Sequence, residues 1–159
     1  LPMFEDRSNT TADDAPSALV DPCLTYSSSN WNGDYIENLI GIPVQGYAAA
    51  ISTCPTSLFA NLKTGSDVLL VRHIEPCSSG DANCDADTTG KLYFQSSRCT
   101  NEISSRKTAG DPSYILGTSG HTLRSNMDCD PNPAVTPAVN VPARKRKFIS
   151  NIYFIRNYA

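Results

Sequence analysis

Polar residues with oxygen ligands recur at every second position in one short stretch of the sequence. They are Asp81, Asn83, Asp85 and Asp87. This spacing matches the first half of a calcium-binding loop, in which alternate side chains turn toward one ion. The sixth position is Ala86 instead of glycine, and the twelfth is Leu92 instead of a bidentate glutamate. The stretch therefore predicts either a weak calcium site or a solvated acidic turn, and no other cofactor is expected.

The six cysteines have spacings that favour disulfides over a metal site. They are Cys23, Cys54, Cys77, Cys84, Cys99 and Cys129. No two are separated by only two residues, as paired zinc ligands usually are, whereas an even number at irregular spacing is typical of disulfides formed in an oxidising compartment. Six cysteines allow fifteen pairings. Proximity along the chain suggests Cys77 with Cys84, Cys23 with Cys54, and Cys99 with Cys129.

A histidine follows an arginine at the end of an apolar run. Arg72 and His73 resemble the start of the histidine phosphatase signature, in which the histidine accepts a phosphoryl group and arginines hold its oxygens. The glycine that lets phosphate approach the backbone is replaced by Ile74, and His121 is the only other histidine. We expect a non-catalytic protein, and an enzyme that uses His73 is the remote alternative. The simplest interpretation of Arg72 and His73 is that both lie where a strand reaches the surface.

Two further features suggest contacts with partners. Trp31 is the only tryptophan and lies in a polar loop, where it either caps the core or binds a partner. A basic run, Arg144-Lys145-Arg146-Lys147, precedes the last apolar segment. It reads as a solvated loop or as a binding surface. With a net charge of -3, the chain as a whole does not predict nucleic-acid binding.

The overall composition predicts strands and long loops more than helices. Charged residues make up only 18% of the chain, and Ser, Thr, Asn, Gly and Pro take their place. We expect a flexible lead-in over residues 1–22 and a single globular domain over residues 23–159. The first residues have neither a basic start nor an apolar core, so an exported protein of this kind would have had a leader or anchor removed. An apolar strand close to the last residue similarly suggests that the native protein continues beyond it.

One segment forms the centre of the predicted fold. Residues 68–71 are apolar without interruption, follow the turn signal Gly65-Ser66-Asp67, and predict an interior strand covered on both sides. Further strands are expected at 92–96, 114–116 and 148–156. We expect one or two helical turns within 54–62, a loop or short edge strand at 39–47, a long loop at 77–90 and an extended excursion across the prolines of 131–142.

Three pieces of the chain together resemble the PilW family of type IV pilus minor pilins. The first is Gly65-Ser66-Asp67-Val68-Leu69-Leu70-Val71-Arg72, which is similar to the family's Gly-Ser-Asp-Val-Leu-x-Val-Arg strand. The second is Leu92-Tyr93-Phe94-Gln95-Ser96-Ser97 followed by Cys99. The third is the basic run leading into Ile152-Tyr153-Phe154-Ile155, where the family often has Tyr-Tyr-Ile. A Gly-Tyr segment at Gly46-Tyr47 is also similar, and the likeness extends over about residues 40–158.

The resemblance implies an α+β pilin fold, mostly β in this fragment. It would be an antiparallel, disulfide-stabilised sheet domain without the family's long apolar N-terminal helix. The implied function is assembly: priming of the type IV pilus and membership of the pilus-tip complex through contacts with other minor pilins, the major pilin and a tip adhesin. The implied location is the periplasmic face of the inner membrane and then the extracellular pilus, with roles in adhesion and twitching motility. The type II secretion minor pseudopilins are related in role. A secreted disulfide-rich binding or adhesin domain is the alternative.

Overall fold

The computed structural model describes residues 18–24, 29–129 and 141–158. Two helices and five strands lie within these ranges, in the order α1 (Gly33–Gly41), β1 (Val44–Tyr47), β2 (Val68–Ile74), β3 (Tyr93–Ser96), α2 (Thr100–Ala109), β4 (Tyr114–Gly117) and β5 (Arg146–Phe154). A 3-10 helix covers Thr56–Phe59. The strands form an antiparallel sheet in the order β1-β2-β5-β3-β4. The expected α+β class with mostly β structure and disulfides is confirmed. The lead-in up to residue 17 and residues 130–140 of the proline-rich excursion lie outside the described residues.

The chain divides into two compact units, and β2 and β5 contribute residues to both. The first unit contains the described residues up to Arg72 and those from Ser150 onward. Its core is formed by Ile51, Cys54, Phe59 and Val68, with Ile152 and Phe154 of β5 packed against them. Phe59 and Phe154 meet at 5.5 Å between ring centroids. Burial of these apolar side chains is the main stabilising term for the unit.

The second unit contains His73–Ile149. Here β3 pairs with β4 over four residues and with β5 through Tyr93 and Phe94. Tyr93, Phe94 and Gln95 are all buried, so both faces of this strand are covered. The strand predicted at 92–96 is therefore an interior strand of the sheet.

Only one face of β2 is covered in the first unit. Val68 and Leu70 are fully buried and Arg72 is 4% exposed, but Leu69 between them is 44% exposed. The prediction of a strand with a neighbour on each side holds, since β2 lies between β1 and β5. The predicted cover on both faces does not, because Leu69 is exposed and Val71 on the same side is only half-buried.

Both helices differ from the sequence expectation. The segment 39–47, predicted as a loop or short edge strand, contains the end of α1 at Gly41 as well as the edge strand β1. The N-cap of α1, Asn32, accepts a hydrogen bond from the Tyr35 N–H at 2.9 Å. Helix α2 has no buried residue, so apolar periodicity could not reveal it. It ends at Gly110, which has the left-handed φ of 77° that favours glycine. Among the described residues, no helix is both long and apolar enough to span a membrane.

Candidate functional site: an acidic loop paired with a basic strand

Three disulfides tie the two units internally. They join Cys23 to Cys54, Cys77 to Cys84, and Cys99 to Cys129, which are the pairs suggested by proximity along the chain. The expectation of disulfides is confirmed. The Cys77–Cys84 bond closes a ring over the first half of the loop at 77–90 and joins two half-buried cysteines. Asp81 lies within this ring, whereas Asp85 and Asp87 follow it in the sequence.

The acidic loop and the basic run, which the sequence suggested as separate sites, lie against each other. Three ion pairs join them, and we call these the ion-pair ladder: Asp81–Arg144, Asp87–Lys145 and Asp85–Lys147. The Asp81 and Asp85 pairs have N–O distances of 3.2 and 2.7 Å. Each of the three carboxylates therefore has a cationic partner where a calcium ion was predicted. Calcium binding remains a prediction that would require the ion to displace these partners.

Backbone contacts hold the loop on the strand as well. The Ser79 N–H donates to the Lys145 carbonyl at 3.0 Å, and the Glu75 N–H donates to the Lys147 carbonyl at 2.9 Å. Arg146 Nη1 donates to the Glu75 carbonyl at 3.4 Å, so every side chain of the basic run contacts this region. Asn83, the fourth predicted calcium ligand, is exposed. Partner binding by the basic run remains a prediction, and it would compete with these internal contacts.

An aromatic ring supports the centre of the ladder. Lys145 Nζ lies 4.9 Å from the centroid of the Tyr93 ring, within range of a cation–π contact. The hydroxyl of the same tyrosine accepts a hydrogen bond from the Thr88 N–H at 2.7 Å. Tyr93 therefore contacts both sides of the ladder from β3. The sequence signal for this role is an aromatic residue directly after the loop, but its partners cannot be read from spacing.

The ion pairs shift the acid–base equilibria of the loop. The hydrogen bond from Lys147 lowers the pKa of Asp85, and hydrogen bonds from Lys145 and Ser79 lower that of Asp87. The Asp85 carboxylate in turn raises the pKa of Lys147. Asp85 and Asp87 therefore stay ionised to lower pH than free carboxylates, and Lys147 stays charged to higher pH than a free lysine. The pairs are exposed to solvent, so their contribution is screened by salt.

Replacing Asp85 with asparagine is expected to loosen the loop with little effect on the melting temperature of the chain. A carboxyl with a lowered pKa stabilises the folded state above its ordinary value of 3.8, and this contribution is lost as the pH falls through the lower folded value. For Lys147 the contribution is present below 10.5 and is lost as the pH rises through the higher folded value.

Amide NMR shifts of residues 77–90, followed against pH, provide the measurement. Wild-type shifts should be constant between these limits and should move below pH 3.8. Asp85→Asn should displace the loop shifts at neutral pH, whereas Asp67→Asn, at an exposed position outside the loop, should not. Unchanged loop shifts in Asp85→Asn would show that the ladder does not hold the loop.

A half-buried group of possible metal ligands lies at the base of the loop. The carboxylate of Glu75 and the sulfurs of Cys77 and Cys84 all lie within 4.8 Å of one another. Because the two sulfurs are joined in a disulfide, neither is a thiolate, and only thiolates are good metal ligands. In its oxidised form this group offers a metal one carboxylate only.

The residues that suggested a phosphatase do not converge. Side chains of consecutive residues on a strand point to opposite faces, so Arg72 and His73 of β2 cannot line one pocket. Arg72 is buried and His73 is exposed. His121 donates from Nε2 to the Tyr93 carbonyl at 2.9 Å and packs edge-on to the ring of Tyr93. The predicted surface position therefore holds for His73 and is wrong for Arg72, which the sheet buries.

Trp31 lies directly before α1 in the first unit. It is half-buried, and its ring centroid lies 5.3 Å from that of Tyr35. Tyr35 in turn donates from its hydroxyl to the Asp21 carbonyl at 3.3 Å. Trp31 thus contacts the first turn of α1, and both its predicted roles, as a cap on the core and in binding a partner, remain predictions.

Sequence reasoning missed an exposed apolar face that β2 forms with its neighbouring strands. Val44 pairs with Val71, and Gly46 with Leu69, so these residues share one side of the sheet. Ile152 and Phe154 face the core, which places Tyr153 on the opposite side of β5. We define the open face as Val44, Leu69, Val71, Tyr153 and Ile155. The uninterrupted apolar run at 68–71 was the signal for it.

The open face is unusually exposed for its composition. Val44 is 53% exposed, Tyr153 54% and Ile155 59%. Single exposed apolar residues are common, whereas neighbouring ones on a sheet are typical of surfaces that take part in binding. No protein-family model, curated protein or solved structure matches this chain.

Proposed function

We propose that this chain is the globular part of a minor pilin subunit of the PilW kind, which helps to prime type IV pilus assembly and joins the tip complex by packing against sister subunits. The protein acts without catalysis, on the outer side of the inner membrane and then in the pilus. The open face is the observation that carries this proposal. The residues that resemble PilW at Gly65–Arg72 and Ile152–Ile155 include four of its five members.

The physical argument begins with β2. A strand whose two faces are both apolar is stable only when both are covered, because exposed apolar area is unfavourable in water. In this chain one face packs on the core of the first unit and the other is open. The long apolar helix that the family resemblance implies is an element of the right kind to cover a flat apolar sheet face.

The three disulfides support the same proposal from a second direction. They are expected in a protein that folds in an oxidising compartment and must survive outside the cell. A small unit whose apolar surface is not fully covered also gains from crosslinks that limit the unfolded chain. An adhesin-like binding domain shares this feature, so the disulfides alone do not separate the two functions.

A charged residue on the open face is expected to abolish assembly while leaving the globular part folded. In the organism that encodes the chain, the full-length gene should carry Leu69→Glu, with Leu58→Glu as the matched control. The two leucines are 44% and 45% exposed, but Leu58 lies on the 3-10 helix, away from the open face. Surface substitutions away from special features change stability by about 0.5 kcal/mol or less.

Sheared surface filaments and the amount of the protein within them provide the measurement. Leu69→Glu should reduce both to the level of a gene deletion, and Leu58→Glu should resemble the wild type. Melting temperatures of the two purified chains should be close to each other. The pilin proposal fails if the deletion strain keeps its filaments and the protein is absent from them, which would favour the adhesin-like alternative.

A further inference from the structure

Arg72 is a buried arginine with most of its hydrogen-bond donors unused. It is 4% exposed, and Nη1 donates to the carbonyl of Ile42 at 2.7 Å. Nε and Nη2 are buried and have no partner among the described residues. Such buried donors are rare in folded proteins, because each has given up water without a replacement.

The charge of Arg72 also has no counterion among the described residues, since none of their ion pairs includes it. The one acceptor it has, the Ile42 carbonyl, is the C-cap of α1, where the helix dipole supplies only a partial negative charge. Burial lowers the pKa of Arg72, and the titrating groups nearby that oppose this change are the phenols of Tyr47 and Tyr35. A full negative charge is therefore the missing partner.

The unused atoms lie on the edge of the guanidinium that suits a carboxylate. Nε and Nη2 point in the same direction and form two parallel N–H···O bonds with the two oxygens of one carboxylate. The third nitrogen, Nη1, is already held by the Ile42 carbonyl, which fixes the plane of the group. The arginine is thus oriented in advance for a ligand that approaches this edge.

Tyr47 is the residue that relates Arg72 to a cavity, because its phenol acts on the charge of Arg72 and it also lines a cavity of which Arg72 is not a wall. Gln45 and Tyr47 lie on the same side of the sheet as Arg72, since they pair with Leu70 and Val68. Gln45 is 4% exposed, and its Oε1 also has no partner, so the region beneath α1 is polar and incomplete. Tyr47 accepts a hydrogen bond from Gln45 at 3.1 Å and also lines a cavity of about 340 Å³. The other walls of the cavity include Leu19, Ala48 and Ile51 and the acidic residue Asp21.

We propose that the Nε–Nη2 edge of Arg72 is the binding site for a carboxylate that the described chain does not itself supply. Two sources share this chemistry: a small free carboxylic acid, or the carboxyl terminus of a protein chain. The site lies on the covered face of β2, so it is independent of the open face and of the pilin proposal.

Butyrate is the probe, compared with chloride at constant ionic strength on the full chain. A saturating ligand at about 100 times its Kd is expected to raise the melting temperature by roughly 5–10 °C. The rise should occur in the wild type and in Arg98→Met, which removes the same charge from an exposed position. It should be absent in Arg72→Met, which lacks the donors. An equal rise in Arg72→Met, or no rise with any carboxylate tested, would overturn the proposal.

A second measurement does not depend on the folding of a variant. The Nε–H resonance of Arg72 in the wild type should shift and saturate with butyrate, and an unchanged resonance would overturn the proposal. A trialanine peptide with a free carboxyl terminus, compared with its amide, separates the two sources. A response to butyrate alone indicates a small acid, and a response to the free peptide but not its amide indicates a chain terminus.

Discussion

Gln95→Leu is expected to lower the free energy of unfolding by roughly 2–6 kcal/mol, because two buried backbone groups lose their partners at about 1–3 kcal/mol each. The side chain is 2% exposed. Its Nε2 donates to the Ala143 carbonyl at 2.6 Å, and its Oε1 accepts from the Leu123 N–H at 2.9 Å. One amide thus connects β3 to two segments that belong to no strand of the sheet.

The location of Gln95 explains why the effect should be large. Strand β5 pairs with β3 only at Tyr93 and Phe94, so its ladder stops before Gln95. Beyond that point the Ala143 N–H donates to the Leu123 carbonyl at 2.7 Å, and Gln95 bonds to the remaining group of each residue. Leucine is similar in size but can neither donate nor accept, so the Leu123 N–H and the Ala143 carbonyl would stay buried without partners.

Gln45→Leu is the matched control for this prediction. Gln45 is also buried, but its Oε1 has no partner among the described residues. Leucine at this position breaks the hydrogen bond to the Val20 carbonyl, but it also removes one unsatisfied buried oxygen. Urea unfolding followed by circular dichroism should give a smaller loss for Gln45→Leu than for Gln95→Leu. The reverse order would mean that the contacts of Gln95 do not carry the stability assigned to them.

Strands with strong apolar patterns and the helical turn within 54–62 could be predicted from the sequence, and the two α-helices could not. The run at 68–71 and the segments at 92–96, 114–116 and 148–156 each overlap an observed strand, because β-branched and aromatic residues pack well on a sheet. Helix α2 has no buried residue and is marked only by its ends: Glu102 in the first turn, Arg106 and Lys107 in the last, and Gly110 after it. Such capping signals carry no periodicity.

The ion-pair ladder shows what sequence reasoning could not establish about the site. The acidic and basic runs were each recognisable, but carboxylates at alternate positions can bind either a metal ion or basic side chains. About 60 residues separate the two runs: Asp87 and Lys145 are 58 positions apart in the sequence, and Asp85 and Lys147 are 62 apart. Their meeting depends on the register of β5 against the loop, and that register is a tertiary property. A buried donor without a partner, as at Arg72, is likewise invisible until the fold is known.

Removal of the Cys99–Cys129 disulfide by two alanines is expected to cost more than removal of either other bridge. The loop-entropy relation gives about 4 kcal/mol for a sequence separation of 30 and about 2.5 kcal/mol for the separation of 7 between Cys77 and Cys84. If chain entropy alone decided the loss, removal of the Cys23–Cys54 bridge, with a sequence separation of 31, should lower the free energy of unfolding as much as removal of Cys99–Cys129.

Burial separates the two long bridges. Cys99 and Cys129 are 0% and 1% exposed, whereas Cys23 is only half-buried. The alanines at 99 and 129 would leave a cavity in the core of the second unit, which adds to the entropic loss. Cys99 is also the N-cap of α2, since its sulfur accepts a hydrogen bond from the Glu102 N–H at 3.3 Å, and alanine cannot replace that contact.

Urea unfolding of three double variants, each lacking one bridge, tests this ranking. The free energy of unfolding should fall most without Cys99–Cys129, less without Cys23–Cys54 and least without Cys77–Cys84. Equal losses for the two long bridges would assign their effect to chain entropy alone and remove the role of the buried cap. The largest loss at Cys77–Cys84 would contradict both arguments, because that bridge closes the shortest loop and joins two half-buried residues.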